Sequence, residues 1–137
     1  GAKDFDYLLS RAIQFFAPGV PQVYYGGLFA CENDMELLTN TNVGRDINRP
    51  YLDANIIDKA LNKPVVKGLI ELIKIRNSHP AFAGEFSAQG EGSMCCLSWQ
   101  LGEQTISLTV DFKLRHALIT QVNGDEETTI NLNSFLA

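Results

Sequence analysis

The sequence is poor in cysteine, and its cysteines have no pairing pattern. Only three occur among 137 residues, with Cys95 and Cys96 adjacent and Cys31 far from both. An odd count with this spacing fits neither a disulfide framework nor a Cys-x-x-Cys metal site. Adjacent residues of a strand point to opposite faces, so we expect Cys95 and Cys96 to act as small apolar side chains. A reduced, cytoplasmic protein without metal or cofactor is the simplest interpretation.

An excess of positive charge and a long hydrophobic run are also missing. Eleven Lys and Arg residues are set against sixteen Asp and Glu residues, which gives a net charge of -5 at pH 7. This balance offers no electrostatic reason to expect nucleic acid or an anionic membrane as a partner. No run reaches the ~18 apolar residues that a membrane span needs. With 45% apolar and 20% charged residues, the composition is that of a folded globular protein.

Two segments have the periodicity of amphipathic helices. Apolar residues recur at helical spacing over residues 4–16, and Asp4 and Asp6 lie at the start, where acidic groups complement the helix dipole. Pro64 opens the second helix, since proline is well suited to a first turn. The second helix continues with a clear apolar face until His79-Pro80.

The region between these helices is predicted to contain one strand and a long loop. Residues 20–25 form a short apolar run without strict alternation, which indicates a strand buried on both faces, as in a parallel sheet. Residues 31–62 are rich in turn-forming side chains, with short helical turns expected over 34–38 and 53–61. So long a loop suggests binding. Because one α-β-α unit cannot bury both faces of a strand, we expect the neighbouring strands to come from outside this chain.

After Gly84 the apolar residues recur at every second position, which is the spacing of a β-strand. Strands are predicted over 94–101, 104–112, 116–122 and 126–132, and Asn123-Gly124 is a strong hairpin signal. The sequence therefore predicts an α+β chain in two parts. Residues 1–83 would form the helical part, and residues 84–137 a small antiparallel sheet of four or five strands.

Four motifs carry a family resemblance. Residues 12–25, with their Pro-Gly-Val-Pro turn, resemble the approach to the eighth strand of the (β/α)8 barrel in the α-amylase superfamily. Glu-Asn-Asp-Met-Glu-Leu-Leu at 32–38, Gly-Arg-Asp-Ile-Asn-Arg at 44–49 and Lys-Pro-Val-Val at 63–66 follow in an order similar to that of sucrose phosphorylases. The chain also opens without methionine and enters a helix almost at once. We therefore interpret it as a C-terminal segment of a longer enzyme.

The resemblance implies a fold and a reaction. The fold is the terminal α-β-α part of a TIM barrel followed by an antiparallel β domain. The reaction is a retaining glucosyl transfer from sucrose to phosphate, in which two carboxyl groups flank one bond. Neither catalytic carboxylate motif occurs in this chain, so it should contain no catalytic residue and be inactive alone. By the motif match, Arg49 would contact the glucosyl group, or merely pin its loop, while Arg45, Asp46 and Asn48 would order the loop.

Two departures from the family pattern leave the substrate open. Pro50 stands where sucrose phosphorylases usually carry histidine, and Gly26 where a larger residue is common. Phosphorylases of sucrose 6'-phosphate or glucosylglycerate are therefore alternatives, as is a non-catalytic sugar-binding or interaction module. The expected partners are sucrose, phosphate and the rest of the barrel. An isolated segment could also form a homodimer, because its barrel-facing surface would be exposed.

The remaining candidates are interpreted as structural. Asp34 and Glu36 are two residues apart and would not face each other on a helix, so they do not suggest a catalytic pair. His79 lies at a helix end, where a dipole or capping role is expected rather than catalysis. Trp99 with Phe112 could form a sugar-stacking platform or, more simply, a core pair. The aromatic residues at 24 and 25 are expected to be packing residues.

Overall fold

The computed structural model describes residues 1–137 as a helical part followed by a five-stranded sheet. The helices are α1 (Ala2–Phe16), α2 (Tyr25–Leu28), α3 (Met35–Thr41), α4 (Ala54–Leu61) and α5 (Pro64–Ser78). Three 3-10 turns lie at Gly44–Asn48, Pro80–Ala83 and Leu132–Leu136. The strands are β1 (Glu85–Glu91), β2 (Met94–Leu101), β3 (Gln104–Asp111), β4 (His116–Asn123) and β5 (Glu126–Asn131). The predicted α+β class is confirmed.

The sheet is an antiparallel meander in which each strand pairs with the next along the chain. Three of its turns place a glycine at positive φ, near 58–59° at Gly92, Gly102 and Gly124, where a side chain would be strained. The four strands predicted over 94–132 are confirmed to within about a residue at each end. Strand β1 was not delimited from sequence, because its second half, Gln89-Gly90-Glu91, has no apolar alternation.

One face of the sheet packs against α1 and the turns at Pro80–Ala83 and Leu132–Leu136, and α5 packs against α1. Leu8 of α1, Leu69 of α5 and Ile106 and Ile119 of the sheet are fully buried in a single hydrophobic cluster. Gly68 permits this approach, because a Cβ there would come within 3.1 Å of Leu8 and 2.9 Å of Phe135. The helices and the sheet thus share one core, and the division into domains at residues 83 and 84 stays a prediction.

Trp99 lies at the junction between the helices and the sheet. Its ring packs against Phe82 and Phe86, with centroid separations of 5.9 and 5.0 Å, and the guanidinium carbon of Arg76 lies 5.2 Å from its centre. Phe112 instead is half exposed. A Trp99–Phe112 pair, as platform or core, is therefore wrong. The cross-strand partner of Trp99 is Ile106, and six further residues of strand carry Phe112 roughly 20 Å away.

Residues 20–25 form no strand within this chain, and a strand completed by neighbours from outside the chain stays a prediction. The backbone is extended at Tyr24, with φ -73° and ψ 150°, but the segment pairs with no strand, and α2 begins at Tyr25. Val20 is 90% exposed, rather than buried on both faces. A strand requires a hydrogen-bonded neighbour, and β1–β5 pair only among themselves. The structure therefore contains helices and an antiparallel sheet, and it shows no barrel. No helix of the chain has the length and apolar character needed to cross a membrane.

Candidate functional site

Arg49 lies at the end of the loop between α3 and α4. The Gly44–Asn48 turn precedes it, and the backbone N–H of Arg49 donates to the carbonyl of Asp46 at 3.3 Å. The exposed guanidinium lies over the ring of Tyr24, 5.9 Å from its centre. None of the ion pairs within the chain involves Arg49. Its five N–H donors are therefore available to a carboxylate or to sugar hydroxyls.

Two adjacent tyrosines support this loop. The rings of Tyr24 and Tyr25 are 4.4 Å apart, and the Tyr25 hydroxyl donates to the carbonyl of Pro50 at 3.0 Å. A hydrogen bond with the neighbouring Tyr24 hydroxyl raises the pKa of Tyr25 above its ordinary value. Within this chain they are 48% and 37% exposed beside Arg49, and their packing in a barrel stays a prediction. In the sequence, the only sign that these tyrosines lie beside the loop is their position directly before Gly26-Gly27.

Gly26 is buried where the loop crosses α2. A Cβ at this position would come 3.0 Å from the carbonyl oxygen of Asn48 and 3.9 Å from the ring of Pro50. A larger residue at position 26 would therefore push this stretch of the loop outward. The two departures from the family pattern, Gly26 and Pro50, are thus neighbours in space. Together they set the path of the chain beside Arg49.

The base of the loop is held by Asp34. Its carboxylate accepts from the N–H of Leu37 at 2.8 Å and caps α3. Its own N–H donates to the carbonyl of Ile47 at 2.7 Å, which joins α3 to the turn that precedes Arg49. Asp34 therefore has a structural role, whereas Glu36 is exposed. In the same turn, the carbonyl of Asp46 accepts from the N–H of Arg49, the carbonyl of Asn48 lies against Gly26, and Arg45 is exposed. Substrate contact by Arg49 and loop ordering by the side chains of Arg45, Asp46 and Asn48 stay predictions.

A second support, not foreseen from sequence, joins α2 to α1. The Tyr7 hydroxyl donates to the carbonyl of Gly27, and Nη2 of Arg11 donates to the Tyr7 hydroxyl at 3.2 Å. Nη1 of Arg11 donates in turn to Gln14 at 2.8 Å. Tyr7 and Arg11 are four residues apart and share one face of α1. This chain of hydrogen bonds holds the start of the loop against a long helix.

His79 has a capping role, but for the turn that follows α5 rather than for α5 itself. His79 lies between α5 and the Pro80–Ala83 turn, and its Nδ1 accepts from the N–H of Ala81 at 3.2 Å. No group of three or more His, Cys, Asp or Glu side chains in the chain is arranged to hold a metal ion.

Comparison with known proteins finds relatives that are all named as phosphorylases of glucosyl compounds. No family model matches the sequence. The chain is 53% identical over 121 residues to a sucrose phosphorylase of Agrobacterium vitis, covering 88% of this chain and 25% of that protein. It is 41% identical over 122 residues to a sucrose 6(F)-phosphate phosphorylase of Thermoanaerobacterium thermosaccharolyticum, covering 88% and 25%. It is 38% identical over 131 residues to a glucosylglycerol phosphorylase of Marinobacter adhaerens, covering 95% and 27%.

A solved structure resembles the fold closely. The crystal structure of sucrose 6F-phosphate phosphorylase from Thermoanaerobacter thermosaccharolyticum matches with a TM-score of 0.89 and 39% identity, over 95% of this chain and 27% of that chain. Because the match covers 95% of this chain, it includes both the helices and the sheet. The chain spans about a quarter of the length of the curated relatives that it matches.

Proposed function

Because this chain belongs to the sucrose phosphorylase family as a segment about a quarter as long as its relatives, we propose that it forms the end of a glucosyl-transferring phosphorylase. The whole protein would convert sucrose and phosphate to α-glucose 1-phosphate and fructose. Such a retaining transfer needs two carboxyl groups about 5 Å apart, one as nucleophile and one as acid and base. Both would lie outside this chain, so the segment alone is expected to be inactive.

The observation that carries the proposal is the exposed guanidinium of Arg49 within a chain 53% identical to a sucrose phosphorylase. A planar guanidinium can hold two oxygen atoms in fixed directions, which suits a carboxylate or a pair of sugar hydroxyls. The hydrogen bond from Tyr25 to Pro50 and the buried Gly26 fix the loop on which Arg49 stands. In the whole protein, Arg49 would close one wall of the glucosyl pocket.

The rest of a catalytic barrel is the proposed partner of residues 20–51. Large apolar side chains are exposed throughout this segment: Val20, Tyr24, Tyr25, Met35, Val43 and Tyr51. Six large apolar side chains exposed within one segment of about thirty residues suggest a surface that is covered in the whole protein. Residues 20–25 would become a barrel strand once neighbouring strands supply their hydrogen bonds. In the isolated segment, the same surface would favour dimerisation. The three free cysteines support a reducing, cytoplasmic location.

The donor has a specific alternative. Relatives at 41% and 38% identity are named for sucrose 6(F)-phosphate and glucosylglycerol. Gly26 and Pro50 together set the loop path beside Arg49, and both depart from the sucrose phosphorylase pattern. A change of path here could admit a different leaving group. Sucrose is nevertheless preferred as the donor, because the 53% relative carries that name.

The test is phosphate-dependent release of glucose 1-phosphate by this chain and by the longer protein that contains it. Sucrose, sucrose 6F-phosphate and glucosylglycerol are supplied separately as donors. We expect turnover of sucrose by the longer protein and none by this chain. If the longer protein prefers another donor, the proposed substrate changes, but the proposed class of reaction stands. Turnover by the chain alone, or no release from any donor, would overturn the proposal and leave a non-catalytic module as the better interpretation.

A further inference from the structure

A polar cavity, open to solvent along one side, lies between the end of α5 and the ends of three strands. Its volume is about 380 Å³, within the range of ~300–1,000 Å³ that is usual for small-molecule pockets. Residues 78–80 form one wall, and residues of β3, β4 and β5 form the other. None of the lining residues is hydrophobic, and all except Pro80 carry a hydrogen-bonding side chain.

The strand residues of this cavity face the side of the sheet that elsewhere builds the core. Gln104 is two residues before the buried Ile106, and Gln121 is two residues after the buried Ile119. Side chains two apart in a strand share a face. Thr128 of β5 lies directly opposite Gln121. A face that packs against helices is normally apolar, yet at this corner it presents amides and a hydroxyl around open space.

His79 provides a donor on the opposite wall. Its Nδ1 accepts from the N–H of Ala81, so the proton of the neutral ring lies on Nε2. Burial lowers the pKa of His79, which keeps the imidazole neutral at pH 7. The ring of Pro80 beside it offers a small apolar surface, of the kind on which the C–H face of a sugar can rest.

The charge of the lining selects against anions. Glu126 is the one acidic residue in the lining, and no Lys or Arg faces the cavity. A phosphate or carboxylate would therefore meet a like charge without a counterion. Each of the amides of Gln104, Gln121 and Asn123 offers both a donor and an acceptor. Hydroxyl groups have the same dual character, so the lining is complementary to a neutral polyol.

We propose that this cavity is a non-catalytic binding site for a neutral polyhydroxylated molecule of monosaccharide size. The site needs none of the residues around Arg49, so the inference stands apart from the proposed phosphorylase activity.

The test is an NMR titration of the isotopically labelled chain with glucose, fructose and glycerol in turn. We expect saturable shifts of the side-chain amides of Gln104, Gln121 and Asn123 with at least one of them. Inorganic phosphate, the anionic probe, should not shift these signals. Gln121→Leu should weaken binding by about tenfold, the effect of losing one to two hydrogen bonds. Gln100→Leu, on the opposite face of the sheet, should bind as the unchanged chain does.

Three results would overturn the proposal: only linear, unsaturable shifts with all three polyols, saturation by phosphate, or equal weakening by Gln121→Leu and Gln100→Leu. If Gln121→Leu does not fold, Thr128→Val replaces it as a variant of nearly equal shape. If the isolated chain aggregates, the same polyols are added to the longer protein and hydrogen exchange is followed over residues 104–128. Protection by a polyol that Thr128→Val abolishes is then expected, and exchange unchanged by every polyol would overturn the site.

Discussion

The indole N–H of Trp99 donates to the backbone carbonyl of Phe16 at 2.8 Å, in the buried junction between β2 and the end of α1. The last carbonyls of a helix have no partner within the helix, and a buried one must find a donor elsewhere. Trp99 supplies that donor from the sheet. A single side chain therefore both fills the aromatic cluster with Phe82 and Phe86 and completes the hydrogen bonding of α1.

Trp99→Phe should destabilise the chain. The phenyl ring can still pack against the aromatic cluster, but the carbonyl of Phe16 loses its donor in a buried position. We expect the free energy of unfolding to fall by about 1–3 kcal/mol, measured by urea denaturation followed by circular dichroism. Phe112→Leu is the control, because Phe112 is half exposed and should cost less than about 0.5 kcal/mol. Equal stabilities of the two variants would contradict the role given to this hydrogen bond.

Gly84→Ala should be poorly tolerated. A Cβ at Gly84 would overlap the backbone carbonyl of Gln100, where the Pro80–Ala83 turn meets β1. Because the obstacle is backbone, no side-chain rotation relieves it, and we expect a loss of about 1–3 kcal/mol in thermal or urea unfolding. Gly90→Ala, within β1, is the matched control, since the nearest atom to its Cβ is 3.7 Å away. A Gly84→Ala variant as stable as Gly90→Ala would show that the junction can move freely.

Asp111 should make stability depend on pH in the acid range. The N–H of Leu114 chiefly lowers the pKa of Asp111, with help from Ser93 and Lys113. A group whose folded pKa is depressed adds stability above its unfolded pKa, ~3.9 for Asp, and loses it as pH falls through the folded pKa. Asp111→Asn should therefore destabilise the chain at pH 7.

The destabilisation by Asp111→Asn should shrink progressively as the pH is lowered below about 4, where the unchanged chain also loses this contribution. Urea unfolding at a series of pH values measures the difference. Asp125→Asn, at an exposed position in the β4–β5 turn, is the control and should show a much smaller difference at pH 7. A constant difference at all pH values would exclude the carboxylate charge as its source.

Arg49→Lys tests the proposed substrate contact in the longer protein. Lysine keeps the charge but loses the planar pair of donors. If Arg49 holds the glucosyl group or the carboxylate beside it, kcat/KM for sucrose should fall by about 10- to 100-fold, the effect of one charged hydrogen bond. Arg45→Lys, in the same turn, should change kcat/KM little. Equal kinetic effects at the two positions would indicate that both arginines only order the loop.

Helices and strands whose apolar residues follow a regular spacing could be predicted from sequence. The helices α1 and α5 follow from the spacing of their apolar residues, and β2–β5 follow from alternation and glycine turns. Residues 20–25 have the composition of a strand, but no strand of this chain pairs with them. Arg49 was identified by its motif, whereas the support from Tyr25 and Gly26 depends on residues more than twenty positions away.

The sequence by itself determined the two long helices, the four strands with apolar alternation, and the family that its motifs resemble, because each of these is a property of neighbouring residues. Only the tertiary structure decided that Trp99 reaches the carbonyl of Phe16 and that Gly26 and Pro50 meet beside Arg49. It also decided that Gln104 and Gln121 surround a cavity with His79. Such contacts join distant parts of the chain, and their positions depend on how the whole core packs rather than on any local pattern.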